Sequence, residues 1–144
     1  MAAVLCFATL AGCEKNEQPK GTVNSSLVGE WALESWNGEE VNDFVIYIKL
    51  RDDSRFELYQ QLSTSYYEYF DGIYDAANNM LTGVYSDGEP WNDSYGYKLD
   101  ASGNRLTLTS QQASQSEYVY VRTQIPSDII VGGGSRSETS KRPL

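Results

Sequence analysis

Leu27-Val28-Gly29-Glu30-Trp31-Ala32-Leu33-Glu34-Ser35-Trp36 is the stretch whose reading decides the fold. Taken as an extended segment, it sets Trp31, Leu33 and Ser35 on one face and Glu30, Ala32 and Glu34 on the other, because successive strand side chains point to opposite sides of a sheet. The same period of two recurs downstream. Phe44, Ile46, Ile48 and Leu50 alternate next, and Phe56, Leu58 and Leu62 follow. Tyr66 to Tyr74 reads as a fourth strand with Phe70, Gly72 and Tyr74 inward, and Leu81, Gly83 and Tyr85 as a fifth. Tyr95, Tyr97 and Leu99, then Leu106 and Leu108, then Tyr118 to Arg122 complete the series.

Turn-forming residues punctuate these runs at Arg51-Asp52-Asp53-Ser54, Asn78-Asn79, Asp87-Gly88-Glu89-Pro90 and Ala101-Ser102-Gly103-Asn104, the spacing of a meander. Eight short sequential strands with tight connections predict an all-β domain, a small eight-stranded antiparallel up-and-down barrel. Closure removes the unpaired edges that an open sheet would expose. An open sandwich is the competing arrangement. No window carries helical periodicity.

Val28-Gly29-Glu30-Trp31 resembles the Gly-x-Trp opening of the lipocalin superfamily, in which the Trp closes one end of the barrel. That resemblance implies a basic partner for Trp31 from the last strand, and Arg122 in Tyr118-Val119-Tyr120-Val121-Arg122 stands at the matching place, where a guanidinium over an indole is a cation–π contact. More closely, the domain resembles lipocalin-like lipoproteins of Gram-negative gut bacteria. The marks are Leu27 to Ser35, Phe56-Glu57-Leu58-Tyr59, Gly72-Ile73-Tyr74 and Leu81-Thr82-Gly83-Val84-Tyr85-Ser86-Asp87-Gly88. The domain is shorter than a typical ligand-carrying lipocalin, and no helix is read after the last strand. The resemblance implies a fold and a cellular place but no particular ligand.

Leu10-Ala11-Gly12-Cys13 ends an apolar run and resembles a bacterial lipobox. Residues 1–12 are expected to be a lipoprotein signal segment, shortened at its start because no Lys or Arg precedes the run. The run is too short to span a bilayer, which needs about 20 apolar residues, and suits a signal-peptide core. Cleavage would leave Cys13 to be acylated, with residues 13–26 as a polar tether, 27–126 as the barrel and 127–144 as a disordered Gly/Ser/basic tail. The expected location is the bacterial cell envelope, lipid-anchored at the outer membrane on its periplasmic or surface face. Cys6 leaves with the leader, so the mature domain has no thiol available for a disulfide.

Composition narrows the function. From Leu27 to Pro126 sixteen carboxylates face six bases, a net charge of −10, which argues against nucleic acid and anionic membrane surfaces as partners. The chain has no histidine, so imidazole-based catalysis and imidazole metal ligation are excluded. A carboxylate pair of glycosidase type, such as Glu57 and Glu68, stays conceivable, but nothing marks either acid, and the chain is read as non-enzymatic. Asp71 with Asp75, and Asp87, Glu89 and Asp93, offer oxygen ligands near glycines. Their spacing is not that of a calcium loop, turn chemistry explains them, and neither metal nor cofactor is expected.

Eleven Tyr and three Trp leave the aromatic interior as the main candidate. Trp31, Phe44, Phe56, Phe70, Tyr74, Tyr85, Tyr95 and Tyr97 are expected inward. An eight-stranded barrel is just wide enough to be filled by side chains or to hold one small ligand, and both arrangements are open. Trp91 lies in a polar loop, as a lid on the barrel mouth or as a platform for stacking on a sugar or lipid, which Tyr66, Tyr67 and Tyr69 could extend. The expected activity is binding of a small amphipathic ligand by Tyr74, Tyr85, Trp91, Tyr95 and Tyr97 of a monomer. The rival is a protein–protein module, an inhibitor or accessory subunit whose acidic face meets a basic partner.

Overall fold

The alternation of apolar side chains becomes a single closed sheet. A computed structural model describes residues 21–63, 65–112, 114–131 and 142–144; residues 1–12, expected to be a signal segment, together with Cys13 and Gly132-Gly133-Gly134, lie outside them. The strands are β1 (Gly29–Trp36), β2 (Glu39–Glu40), β3 (Val45–Leu50), β4 (Arg55–Gln61), β5 (Glu68–Ala77), β6 (Met80–Tyr85), β7 (Tyr95–Leu99), β8 (Arg105–Ser110) and β9 (Glu117–Arg122). All neighbours run antiparallel in the order β2-β1-β3-β4-β5-β6-β7-β8-β9, and β1 also pairs with β9. Eight strands therefore form an up-and-down barrel, with β2 as a short flap on the end of β1. Among the described residues no helix is long and apolar enough to cross a membrane.

Inward positions carry the core: Trp31, Ile46, Ile48, Leu50, Phe56, Leu58, Phe70, Tyr74, Leu81, Tyr85, Leu106, Leu108 and Tyr120 are all buried. Two polar side chains join them. Gln60 on β4 donates its amide to Glu68 on β5 at 2.8 Å, both buried, and these residues pair directly in the register. The third strand thus turns Gln60 inward where Leu62 was expected; Leu62 lies past the strand end and is 38% exposed. The fourth strand begins at Glu68 rather than Tyr66.

Four further expectations are corrected. β2 arises because Asn37 and Gly38, with φ of 51° and 84°, make the tight reversal that positive φ permits. A helix does follow the last strand: α1 (Ser127–Val131) begins just after Pro126 and buries Ile129, with Ile125, against Tyr59, Tyr47, Tyr67 and Tyr69 on the outside of the barrel. The tail assigned to 127–144 is therefore ordered at α1, and Arg142-Pro143-Leu144 sits on the barrel, Leu144 being 2% exposed. The polar spacer also stops short of Ser26. The Thr22 N–H donates to Asp75 at 2.6 Å and the Ala76 N–H to the Thr22 carbonyl at 2.8 Å, then a 3₁₀ turn at Ser25–Leu27 leads into β1. Backbone pairing to β5 holds the start of this segment, and Val23 packed on the core with Leu27 buried in it holds the rest.

Candidate functional site

One end of the barrel is closed by a small, fully built device. Trp31 is fully buried and its indole N–H donates to the Leu27 carbonyl at 2.9 Å. Arg122, opposite Trp31 in the β1–β9 register, lays its guanidinium carbon 4.3 Å from the indole centroid. The same guanidinium donates to the carbonyls of Val28 (2.9 Å), Ser26 (3.0 Å) and Gly103 (3.1 Å). It ties the N-terminal turn, β1 and the β7–β8 turn into a single plug, each charge-assisted bond stronger than a neutral one. Gly29 is required here, because its φ is +143° and a Cβ would strike the Arg122 guanidinium.

The interior is occupied by interlocking rings. Phe56 meets Tyr85 edge-on at 5.6 Å and Trp91 at 5.2 Å; Phe70 meets Tyr85 at 6.0 Å. Trp91 meets Tyr95 at 6.2 Å, and Tyr95 meets Tyr118 at 6.0 Å. These edge-to-face contacts match the ring quadrupoles. Burial keeps the phenols neutral: it pushes Tyr74 and Tyr85 up to about 12 and raises Tyr95 and Tyr120 further. The Tyr74 hydroxyl is spent on the Arg51 carbonyl at 2.6 Å. Tyr97 is only partly buried and accepts the Asn24 amide at 3.2 Å.

Trp91 folds back onto the barrel rings rather than forming an exposed platform. It is 6% exposed and fills the place where β6 and β7 part. Those strands pair only at Met80↔Gly96 and Leu81↔Tyr95, the loosest seam in the barrel wall. Beyond it the chain loops out, returns at the Val84↔Pro90 bridge and sends the indole inward over Gly83. A Cβ at Gly83 would run into that ring, so the glycine is the notch that admits it. The indole Nε1–H is buried and meets no acceptor among the described residues, an unusual state for a buried donor.

Outside this seam runs an open groove of about 1100 Å³, slightly larger than the usual small-molecule pocket of about 300–1,000 Å³. Ile73, Val84 and Pro90 give it an apolar floor; Arg55, Asp75, Thr82 and Asn92 give it polar margins. Of the ligand residues expected from sequence, Tyr74, Tyr85 and Trp91 border this groove. Tyr95 packs on Trp91 from the interior side, and Tyr97 stands apart. Val84, 45% exposed, and Gly83 were missed as site residues; a glycine at an inward strand position was the available signal.

The remaining candidates fall elsewhere. Glu57 points outward from β4, near Lys49 and Arg51 at 3.9 Å each, whereas Glu68 points inward; a pair on opposite faces of one wall cannot share a substrate. Asp75 caps Thr22, and Asp93 takes the Ser110 hydroxyl and the Ser94 N–H. No three carboxylates converge among the described residues. Tyr67 and Tyr69 pack at tilted angles on Tyr47 and Tyr59 beneath α1, leaving Tyr66 exposed and the supposed aromatic platform unformed.

The family model of a lipocalin-like domain matches residues 27–108. No curated protein matches the chain. Among solved structures, an uncharacterized protein from Bacteroides eggerthii DSM 20697 is similar with a TM-score of 0.48 at 15% identity, covering 67% of this chain and 98% of that one.

Proposed function

The chain belongs to the lipocalin-like domain family, and on that premise we propose that it is a non-catalytic binding protein of the bacterial cell envelope, lipid-anchored through Cys13, which takes a small amphipathic ligand in the groove beside Trp91. The observation that carries this reading is the parted β6–β7 seam with the unmet indole N–H of Trp91 behind it. A ligand whose apolar body lies on Ile73, Val84 and Pro90 could offer an acceptor to that N–H as the seam opens. The envelope location rests on the lipobox resemblance at Leu10-Ala11-Gly12-Cys13. Edge-to-face packing of the inward rings favours a site in the wall over one in the lumen, since an eight-stranded barrel is only just wide enough for its own side chains or one small ligand.

Native mass spectrometry of the Cys13→Ser protein, before and after incubation with envelope lipid and glycan extracts, tests the proposal. A discrete added mass is expected. Trp91→Phe, which keeps a ring but removes the N–H, should then weaken binding about fivefold, the worth of one hydrogen bond of about 1 kcal/mol. A bare mass in every condition would overturn the small-ligand reading. The ring-packed interior together with the acidic surface would then favour a protein–protein module, recognisable by one stoichiometric partner captured from envelope extract.

A further inference from the structure

Tyr85 and Phe70 face the interior near the end of the barrel opposite Trp31, and Asp87 follows Tyr85 in the next turn. The complement of this corner comes from far away in sequence. Arg142 pairs with the Asp87 carboxylate through both guanidinium nitrogens and lays its guanidinium carbon 4.3 Å from the Tyr85 ring centroid and 5.8 Å from that of Phe70. Two residues on, Leu144 is buried in the main core cluster, and its carbonyl accepts the Tyr85 hydroxyl at 3.1 Å. A buried phenol needs an acceptor, and the one the described residues give Tyr85 is this carbonyl. The strands therefore present a ring face, a carboxylate and a buried donor together, and all three are satisfied by one short segment. Pro143 holds the residue before it extended, which sets Arg142 and Leu144 on the carboxylate and in the apolar recess at once.

We propose that the Phe70–Tyr85–Asp87 corner is a recognition site for a basic-apolar peptide segment, an arginine followed two positions later by an aliphatic residue. The chain's own Arg142-Pro143-Leu144 is its resident occupant, which a segment of the same chemistry from a protein partner displaces. The net charge of −10 between Leu27 and Pro126 draws basic segments toward this surface. Tyr85 is shared with the groove beside Trp91, but Phe70 and Asp87 do not border it, so this inference goes beyond the small-ligand reading and is tested through Asp87 and Arg142 independently of it.

The test uses a fluorescent, N-acetylated peptide of residues 139–144 and its anisotropy with three proteins. In Arg142→Ala/Leu144→Ser, which vacates the corner, the peptide should bind. The intact chain should bind it roughly tenfold more weakly, because the tethered segment competes at a millimolar-scale effective concentration. Adding Asp87→Asn to the vacated protein should weaken binding about tenfold, as expected for loss of a charge-assisted pair. No binding by a folded, vacated protein, equal binding by vacated and intact proteins, or indifference to Asp87→Asn would each overturn the proposal. Should the vacated protein fail to fold, the intact chain gives a second reading, since Asp87 is half exposed and its replacement by Asn leaves no buried group unpaired. In Asp87→Asn, nuclear Overhauser contacts from the Leu144 methyls to the Tyr85 ring should weaken, and their full persistence would overturn the claim.

Discussion

At the scale of single residues, two glycines do opposite jobs. Gly29 supplies a backbone conformation and clearance: its φ is +143° and the Arg122 guanidinium occupies the space of a side chain. Gly29→Ala should destabilise the protein by about 1–3 kcal/mol, the range for backbone strain at such a site, read as a lower denaturation midpoint. Gly83 supplies a hole. Gly83→Val should expel the Trp91 ring, shift tryptophan emission to the red and cost about 1–3 kcal/mol through overpacking; an unchanged emission spectrum would mean that the ring does not sit over β6. The Gly29-x-Trp31 pattern was legible as a lipocalin resemblance, and that resemblance implied Arg122 as its partner. The pairing of Gly83 with Trp91 was not, because a glycine reads only as an absence until the ring that fills it is located.

At the scale of elements, hairpins were legible and the helix was not. Asn78 and Asn79 both adopt positive φ, 55° and 59°, and join β5 to β6 in a two-residue turn, as expected of residues that tolerate the left-handed region. The flap β2 follows from the equally readable Asn37-Gly38, but two paired residues are too few to register as alternation. α1 spans five residues, too short for a 3.6-residue period to emerge from composition, and of the rings it covers, Tyr67 and Tyr69 were expected to extend a stacking surface. If Ile125 and Ile129 hold it in place, Ile125→Ala should cost about 2 kcal/mol, the low end for deleting a buried aliphatic chain. Urea denaturation measures this, and a change below a few tenths would show that the helix adds nothing to the barrel.

At the scale of the whole molecule, the aromatic interior ties stability to alkaline pH. Burial pushes Tyr74 and Tyr85 from 10.0 up to about 12 and raises Tyr59, Tyr95 and Tyr120 as well. A raised phenol contributes stability that is fully present below the unfolded value of 10.0 and is lost as pH rises toward the folded value of about 12. Each such tyrosine withdraws about 1.4 kcal/mol per pH unit within that window. Urea midpoints should therefore hold steady to pH 10 and fall steeply beyond it, with tyrosinate absorbance appearing cooperatively on unfolding. A midpoint unchanged to pH 11.5 would mean that the phenols ionise without unfolding.

The period-two alternation and the turn residues determined by themselves that this chain makes eight short antiparallel strands, whereas the β1–β9 pairing that closes them into a barrel rather than an open sandwich is a fact of the tertiary structure. Such signals are local, and a strand's inward face is written every second residue. The sequence also excluded imidazole chemistry outright. Only the tertiary structure decided that the inward rings lock edge-to-face with one another, that β6 and β7 part around Trp91 with a groove outside, and that Arg142 and Leu144 return to Asp87 and Tyr85. These outcomes depend on volumes and on contacts between residues as much as 59 positions apart, and no local pattern of polarity encodes them.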